Sequence, residues 1–469
     1  MNSLRSPNRK IPHLPPAELT EGPIIQKLVT FFLPIAAGTL FQQLYNAVDA
    51  FVVGKFVGTE ALAAVGGSPA ILSNLIIGFF VALTSGAAVV IAQLYGAQEY
   101  ERVSAAMGVS YRLCVVLGLV MGALVCLFSP QLLTLLKTPA DTFDKALLYQ
   151  RIYFMGAVFL LLFNMGSGIL RSIGDARFPF LCLFVSCGLN IVLDVVFVIV
   201  FAWGVMGVAV ATVLSQAVAA LLVTGKLLTL KGPFRLRFRS KGDRRLLVRM
   251  LRIGIPSGVQ SSMYGLSNLL LQVGVNTLGT VVVASWAMSG KVDGAFWAIT
   301  SAFGTALTTF VGQNYGAGKL DRIRACAKKS LLLMTAMTLS VSGILLLIAR
   351  PLLHLLTNDG AVIDTTWYII LLFVPFYLIW VPIEVFSGVL RGVGDVLTPS
   401  LILAGGICGF RILWLLTAFN LSHTLLTLCI CYPLSWVVTD IAIYLYFRRS
   451  PVMTRAVRVI DSDYDHKTR

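Results

Sequence analysis

SGILRSIGDARFP (167–179) recurs later in the chain as SGVLRGVGDVLTP (387–399). Seven of the thirteen positions are identical, whereas chance at average residue usage gives about one. AQLYGAQEYERV (92–103) recurs as GQNYGAGKLDRI (312–323) at the same offset of 220 residues. Pro34 and Asn46 also have counterparts, Pro256 and Asn268, at an offset of 222. The chain is therefore a duplication of one structural unit.

The repeated unit is built from long apolar blocks. The chain is 57% hydrophobic and 12% charged, with a mean hydropathy of +0.85, which excludes an ordinary soluble protein. The blocks do not alternate with the period of two that is typical of membrane β-strands. Twelve blocks can be marked, at residues 24–53, 61–94, 104–128, 145–170, 179–202, 205–230, 247–276, 281–311, 325–349, 365–390, 399–420 and 423–447. They predict an all-α polytopic membrane protein with twelve transmembrane helices.

Basic residues concentrate in loops that share one side if the blocks alternate in direction. The longest basic segment is KLLTLKGPFRLRFRSKGDRRLLVRMLR (226–252). The opposite loops carry few cations, mainly Lys55, Lys137 and Arg350. This asymmetry predicts a cell (inner) membrane protein with both termini in the cytoplasm. The net charge of +16 then reflects topology and contact with anionic lipids, which disfavours nucleic acid as a partner.

The even number of blocks in each half fixes how the halves are related. Both halves start and end on the same side, so a pseudo-two-fold axis along the membrane normal relates them, as in transporters with a central cleft. We expect a disordered cytoplasmic tail over 1–23 and a cytoplasmic tail over 449–469. Between them we expect an N-terminal six-helix lobe over 24–230, a basic linker over 231–246 and a C-terminal six-helix lobe over 247–448. We assign the repeated Arg171 and Arg391 turns to structure, topology and gating contacts.

Several motifs resemble one known family. These are QQLYNAVDAFVVGKFVGTEALAAVG (42–66), the paired turns GILRSIGD and GVLRGVGD, and VGQNYGAGKLDR (311–322). They resemble the multidrug and toxic compound extrusion (MATE) family, and most closely its bacterial DinF-like branch, over roughly residues 24 to 450. The resemblance implies a secondary active antiporter, driven by H+ or Na+, that exports drug-like, often cationic, organic compounds by alternating access. It also implies two six-helix lobes and no enzymatic activity.

Polar residues form a stripe on one face of the first helix, at spacings of 0, +3, +4 and +7: Gln42, Tyr45, Asn46 and Asp49. The fifth helix carries a similar stripe at i, i+4 and i+8: Ser186, Asn190 and Asp194. With a rise of about 1.5 Å per residue, Asp49 lies roughly 30 Å beyond Leu28 and Asp194 roughly 22 Å beyond Pro179. We therefore expect the two carboxylates to meet at similar depth in the N-terminal half.

The two acids are candidates for a cation-coupling site. A carboxylate held away from water binds a proton more readily than one in water, and two neighbouring acids resist joint ionisation. The family resemblance implies cation binding at Asp49, Asn190 and Asp194, either of a proton or of a sodium ion held by the same oxygens. The alternative is that these acids only join neighbouring helices by hydrogen bonds. Ionisable residues inside a membrane favour the functional interpretation.

The second half is not a copy at these positions, because Leu271 aligns with Asp49. Its candidates for a substrate cavity, together with the polar stripe residues Gln42, Tyr45 and Asn46, are Gln260, Tyr264, Asn268, Lys291, Asp293 and Glu384. Glu384 either attracts cationic substrate or is a packing acid, and Lys291 and Asp293 each pair across helices or line the cavity. Aromatic residues suited to stacking on a flat compound are Phe41, Trp286, Trp297, Tyr377 and Trp380, although most membrane aromatics simply pack.

Pro34 and Pro256 lie at matching positions of the first and seventh helices, where each removes a backbone hydrogen bond and permits bending. Bending of the first helix would move Asp49 relative to Asp194; a static kink is the alternative. The spacings of the eight cysteines match no zinc pattern, and we expect no cofactor and a monomer.

Two other classes of function remain to be weighed. A flippase or exporter of a dedicated lipid-linked or metabolite substrate shares this architecture, but a pyrophosphate carrier should line its cleft with basic residues. Here Lys291 is the one conspicuous cation among the cavity candidates. An intramembrane enzyme is disfavoured, because the chain holds no HExxH, GxSxG or GxxxxGK[ST] motif.

Overall fold

A computed structural model describes residues 19–136, 138–232, 234–238 and 243–450, and every regular element in these ranges is a helix. The helices of the N-terminal half are α1 (Ile24–Val57), α2 (Ser68–Gly96), α3 (Tyr100–Leu135), α4 (Ala140–Met155 with Ala157–Ser172), α5 (Arg177–Val200) and α6 (Gly204–Thr229). Those of the C-terminal half are α7 (Arg244–Asn276), α8 (Thr280–Gly316), α9 (Leu320–Leu356), α10 (Gly360–Val393), α11 (Leu397–Ser422) and α12 (Leu425–Arg449). A short helix, Thr59–Gly66, precedes α2.

These twelve elements confirm the prediction of an all-α polytopic membrane protein. Ten helices in the described ranges are long and apolar enough to cross a membrane, and α4 makes an eleventh when its two parts, bent by 47°, count as one span. The helix α7 is long enough, with 33 residues, but its polar stripe lowers its hydropathy. Because each helix of the second half has its counterpart in the first, the predicted duplication corresponds to two lobes of six helices.

Each lobe has its own apolar core, and α1 packs against both lobes. The larger cluster of buried residues lies in the C-terminal half, yet it includes Leu28 and Phe32 from the first turns of α1. The Phe32 ring packs edge-on against Phe303 of α8 at 5.7 Å. Farther along the same helix, Phe41 packs against Phe184 of α5 at 5.1 Å. The helix α1 therefore leaves one lobe and joins the other, and Pro34 lies between the two contacts.

The repeated GD turns have the same geometry in both halves. Gly174 follows α4 with φ 98° and Gly394 follows α10 with φ 91°. These left-handed values favour glycine, since other residues meet steric strain there. The next residue in each turn, Asp175 or Asp395, donates its N–H back to the carbonyl of the last helical turn, at 2.9 and 3.0 Å. The motif that revealed the duplication is thus a pair of helix-ending turns.

We call the end of the bundle that holds these turns the basic end. There the lobes exchange two hydrogen bonds related by the internal repeat. Gln93 of α2 donates to the Gly392 carbonyl, and Gln313 of α8 donates to the Ser172 carbonyl, both at 2.8 Å. Gly96 and Gly316 sit in the same contact, where the α2 and α8 backbones meet without an intervening side chain.

The prediction of a disordered tail over 1–23 is wrong for its last residues. Leu19 is 3% exposed, and its carbonyl accepts hydrogen bonds from Asn314 and Arg322 of the C-terminal half. Lys319 and Arg322 bind the carbonyls of Thr20 and Gly22. Side chains far away in sequence order this segment. Residues 1–18, Lys137 and most of the predicted tail (451–469) lie outside the described residues.

The predicted basic linker is partly packed on the N-terminal lobe. Phe234 and Leu236 are buried in the core of that lobe, and Ser104 donates a hydrogen bond to the Arg235 carbonyl at 2.6 Å. The linker ends earlier than predicted, because α7 begins at Arg244. Residues 233 and 239–242 lie outside the described part of the chain.

Candidate cation site and central cavity

The polar stripes of α1 and α5 meet inside the N-terminal lobe. Asn190 and Asp194 are each 1% exposed, and Asp49 reaches them from α1. With its amide oriented to satisfy both neighbours, Asn190 donates to Asp194 Oδ2 at 2.9 Å and to the Tyr45 hydroxyl at 3.3 Å. Its oxygen accepts from the backbone N–H of Thr212 on α6 at 3.2 Å. One amide thus joins three helices around the acids.

The two carboxyl groups are close enough to share a hydrogen bond. Among the described residues, no lysine or arginine forms an ion pair with either acid. Tyr149 and Tyr153 of α4 lie beside the pair, with their rings stacked at 5.8 Å. Two acids in one enclosed, uncompensated site resist joint ionisation, so the arrangement favours a proton or another cation between them.

The structure brings together only part of each predicted stripe. Tyr45 and Asp49 lie beside Asn190 and Asp194. Gln42 and Asn46 are exposed and are absent from the lining of the central cavity described below. Ser186 instead donates to the Ser215 carbonyl on α6 at 2.8 Å. Sequence reasoning missed Thr212, Tyr149 and Tyr153, since their contacts with the acids depend on how α4 and α6 pack.

A central cavity of about 960 Å³ lies between the lobes and extends into the C-terminal one. Five of the predicted cavity residues line it: Gln260, Tyr264, Asn268, Asp293 and Glu384. Trp286, Trp297, Tyr377 and Trp380 also line it, whereas Phe41 packs against α5. Lys291 is exposed and is absent from the lining.

The cavity is more basic than its predicted lining. Three arginines line it, Arg171, Arg391 and Arg411, so the expectation that Lys291 is the conspicuous cation is wrong. Arg391 pairs with Glu384 at 3.0 Å. The repeated turn, to which we assigned structure, topology and gating contacts, thus also contributes a side chain to the cavity. Arg411, in the middle of α11, was missed altogether. An arginine inside an apolar block was the available signal, because such residues are rare in membrane helices.

Aromatic rings form the wall of the cavity on the C-terminal side. Tyr377, which lines the cavity, stacks on Phe296, which does not, with ring centroids 4.0 Å apart. Trp297 meets Trp380 edge-on at 5.1 Å. Trp436 of α12 lies 6.2 Å from Trp380. Such walls suit flat ligands, because aromatic faces attract both rings and cations.

Comparison with known proteins decides the family. A family model described as MatE matches the chain twice, over residues 34–196 and 256–417, which together make up more than half of it. The chain belongs to the MatE family. The double match also agrees with the internal duplication, and it makes this protein a multi-pass membrane transporter.

Two relatives of this MATE transporter match about nine tenths of its length. A probable multidrug resistance protein, YoeA of Bacillus subtilis, is 28% identical over 89% of this chain and 92% of its own. The multidrug export protein MepA of Staphylococcus aureus (strain NCTC 8325 / PS 47) is 23% identical over 92% of this chain and 96% of its own.

Solved structures agree with the fold. A MOP superfamily transporter from Pyrococcus furiosus superposes with a TM-score of 0.86 at 24% identity, covering 95% of this chain and 99% of that one. An outward-facing multidrug resistance MATE family transporter gives the same TM-score, 0.86, over 94% of this chain and 99% of that one. The predicted two-lobe, twelve-helix architecture is therefore confirmed.

Proposed function

We propose that this MATE transporter is a cation-coupled antiporter that exports drug-like, often cationic, organic compounds by alternating access. The observation that carries the proposal is the enclosed carboxyl pair of Asp49 and Asp194, which has no basic partner among the described residues. The printed names of the relatives, which describe multidrug resistance and multidrug export, support a drug-like substrate.

The coupling ion is H+ or Na+, and the site offers groups for either. A proton fits between the carboxyl groups as they stand, because the two groups are close enough to share a hydrogen bond. A sodium ion would be held by oxygens of Asp49 and Asp194, joined by the Asn190 oxygen after its amide turns. Each cation that enters down a potential of 100 mV releases about 2.3 kcal/mol, and each positive charge that leaves on the exported compound costs the same amount. Coupling requires the site to release its cation and to bind a new one in every transport cycle.

We further propose that the protein lies in the cell (inner) membrane with both termini and the basic end in the cytoplasm. The positive-inside asymmetry of the loops supports this orientation. Glu101 and Asp141 are exposed at opposite ends of the bundle. With the native cysteines replaced, a membrane-impermeant maleimide added to intact cells should label Asp141→Cys and spare Glu101→Cys. Labelling of Glu101→Cys alone would reverse the proposed topology.

The coupling proposal is tested by efflux of ethidium from proteoliposomes under an imposed proton gradient or an imposed sodium gradient. We expect wild type to pump under one of the two gradients. Asp49→Asn and Asp194→Asn should abolish pumping, since each removes a carboxylate from the pair. Glu101→Gln is the matched control, because it neutralises an exposed acid at the basic end, and it should pump like wild type.

Each outcome has a definite meaning. Loss of pumping in both variants, with normal insertion and folding, supports the acid pair as the coupling site. Pumping by both variants at the wild-type rate contradicts it and makes Asp293 and Glu384 the next acids to test. If wild type moves no ethidium under either gradient, a dedicated lipid-linked or metabolite substrate becomes the better hypothesis.

A further inference from the structure

Arg411 is a buried arginine in the wall of the central cavity. It lies in the middle of α11 and is 5% exposed. Its guanidinium sits 3.9 Å over the ring of Tyr432, and its Nε donates to Ser435 Oγ at 3.3 Å. These contacts orient the planar group against α12 but leave its charge without an opposite charge.

The remaining donors of Arg411 have no partner among the described residues. No carboxylate in that part of the chain forms an ion pair with it, and its Nη groups make no hydrogen bond there. A buried arginine is costly unless its charge and its donors are matched. Because Arg411 lines the cavity, a molecule inside the cavity can reach those donors.

Several other buried polar atoms of the cavity wall are equally unmatched. Trp436 Nε1, Ser387 Oγ and Asp293 Oδ1 have no hydrogen-bond partner among the described residues, and all three residues line the same cavity. Native proteins satisfy most buried polar groups. Their concentration here, in a cavity of about 960 Å³, is typical of a site that binds a polar organic molecule.

The charges of the cavity indicate what that molecule carries. Glu384 and Arg391 neutralise each other in an ion pair, and Arg171 lies at the basic-end margin, near the end of α4. Arg411 and Asp293 are the charged groups left beside the aromatic wall, and Tyr432 interacts electrostatically with both. Asp293 is 7% exposed. A guanidinium binds a planar oxyanion through two parallel hydrogen bonds, whereas a carboxylate binds a cation.

We propose that the central cavity binds aromatic compounds that carry both an anionic and a cationic group, with Arg411 binding the anion and Asp293 the cation. The aromatic wall stacks on the ring system between the two charges. This specificity deepens the proposed export function and rests on it for the direction of transport. Binding itself requires no ion gradient, so it can be tested separately.

The test compares two dyes that differ by one charge. Rhodamine B carries a carboxylate and a delocalised aromatic cation, and its ethyl ester keeps the ring and the cation without the carboxylate. Fluorescence anisotropy of each dye with purified full-length protein in detergent gives the two affinities. We expect wild type to bind rhodamine B at least about tenfold more tightly than the ester, the effect of a strong charge-assisted contact.

Variants then assign the preference to residues. Arg411→Gln should reduce the preference for rhodamine B to less than about threefold while leaving the affinity for the ester nearly unchanged. Asp293→Asn should weaken both dyes by similar factors and keep the preference. Arg350→Gln is the matched control, because Arg350 is an exposed arginine paired with Asp364, and it should behave like wild type.

Equal affinities of wild type for the two dyes would overturn the proposal without any variant. It would also be overturned if Arg411→Gln weakened both dyes equally in protein that melts at the wild-type temperature. If Arg411→Gln does not fold, Arg411→Lys keeps the charge and must keep part of the preference. A protein that prefers rhodamine B but pumps nothing in proteoliposomes would contradict the proposed function and leave this binding inference standing.

Discussion

The contact between Gly96 and α8 gives a sharp test of how the lobes separate. A Cβ built on Gly96 would lie 2.6 Å from the carbonyl carbon of Gln313, and one on Gly316 would lie 2.7 Å from that of Gln93. Ordinary carbon–carbon contacts are about 3.5 to 4.0 Å. Since the obstacle is backbone, no side-chain rotation relieves the clash. Gly96→Ala must therefore push α2 and α8 apart at the basic end by about 1 Å.

The energetic effect follows from that displacement. Overpacking by one methyl group costs about 1–3 kcal/mol, and separation also weakens the inter-lobe hydrogen bonds of Gln93 and Gln313. A value of about 2 kcal/mol shifts the equilibrium between contacting and separated basic ends by about thirtyfold toward separation. Gly225→Ala is the matched control: Gly225 lies inside α6, and a Cβ there meets nothing within 4 Å.

Distances between spin labels measure the shift. Glu101 and Asp321 are exposed, repeat-related positions near the starts of α3 and α9, so cysteines there can be labelled in protein lacking its eight native cysteines. Double electron–electron resonance should show a larger long-distance population in Gly96→Ala than in wild type, and no change in Gly225→Ala. An unchanged distance distribution in folded Gly96→Ala protein would refute the idea that this backbone contact holds the basic ends together.

Two further substitutions follow from single contacts. Gly304→Ala would place a Cβ 2.9 Å from the carboxyl carbon of Glu384. Because the Glu384 side chain can move away, we expect the protein to fold normally but to lose the ion pair between Glu384 and Arg391. Equal dye affinities of Gly304→Ala and Glu384→Gln would confirm this loss. Arg322→Met removes hydrogen bonds to the Leu19, Glu21 and Gly22 carbonyls, so segment 19–22 should detach from α9, and a glutamate-specific protease should cleave after Glu21 at least about tenfold faster. The control Arg324→Met, at a neighbouring position paired with the exposed Asp321, should leave cleavage at the wild-type rate, and an unchanged cleavage rate in Arg322→Met would contradict the assigned contacts.

The sequence predicted best the features that depend on the geometry of a single helix or on the internal duplication. Helical spacing put Tyr45 and Asp49 on one face, and the rise per residue placed Asp49 at the depth of Asp194, where the structure has it. The same spacing wrongly suggested that Gln42 and Asn46 share one cavity with them. A helical face is set by sequence, but what lies opposite that face depends on the packing of other helices.

Contacts between residues far apart in the sequence explain the other differences between the predictions and the structure. Leu19 was predicted to be disordered because its neighbours are polar and proline-rich, yet Asn314 and Arg322 bind it across the duplication. Arg411 was overlooked because one charge hardly lowers the hydropathy of a long apolar block. Its position at the cavity could be inferred only after α11 was placed against Tyr432 and Ser435 of α12.

The divided packing of α1 has a mechanical consequence. One end of this helix is anchored by Phe32 on Phe303 in the C-terminal lobe, and the other carries Asp49 into the N-terminal lobe beside Asp194. A straight rod cannot keep both anchorages when the lobes rotate against each other. Either one contact breaks or the rod flexes, and Pro34, which lacks a backbone N–H, lies between the anchorages. Bending of α1 at Pro34 would therefore transmit a rotation of the lobes to Asp49 and change its position relative to Asp194.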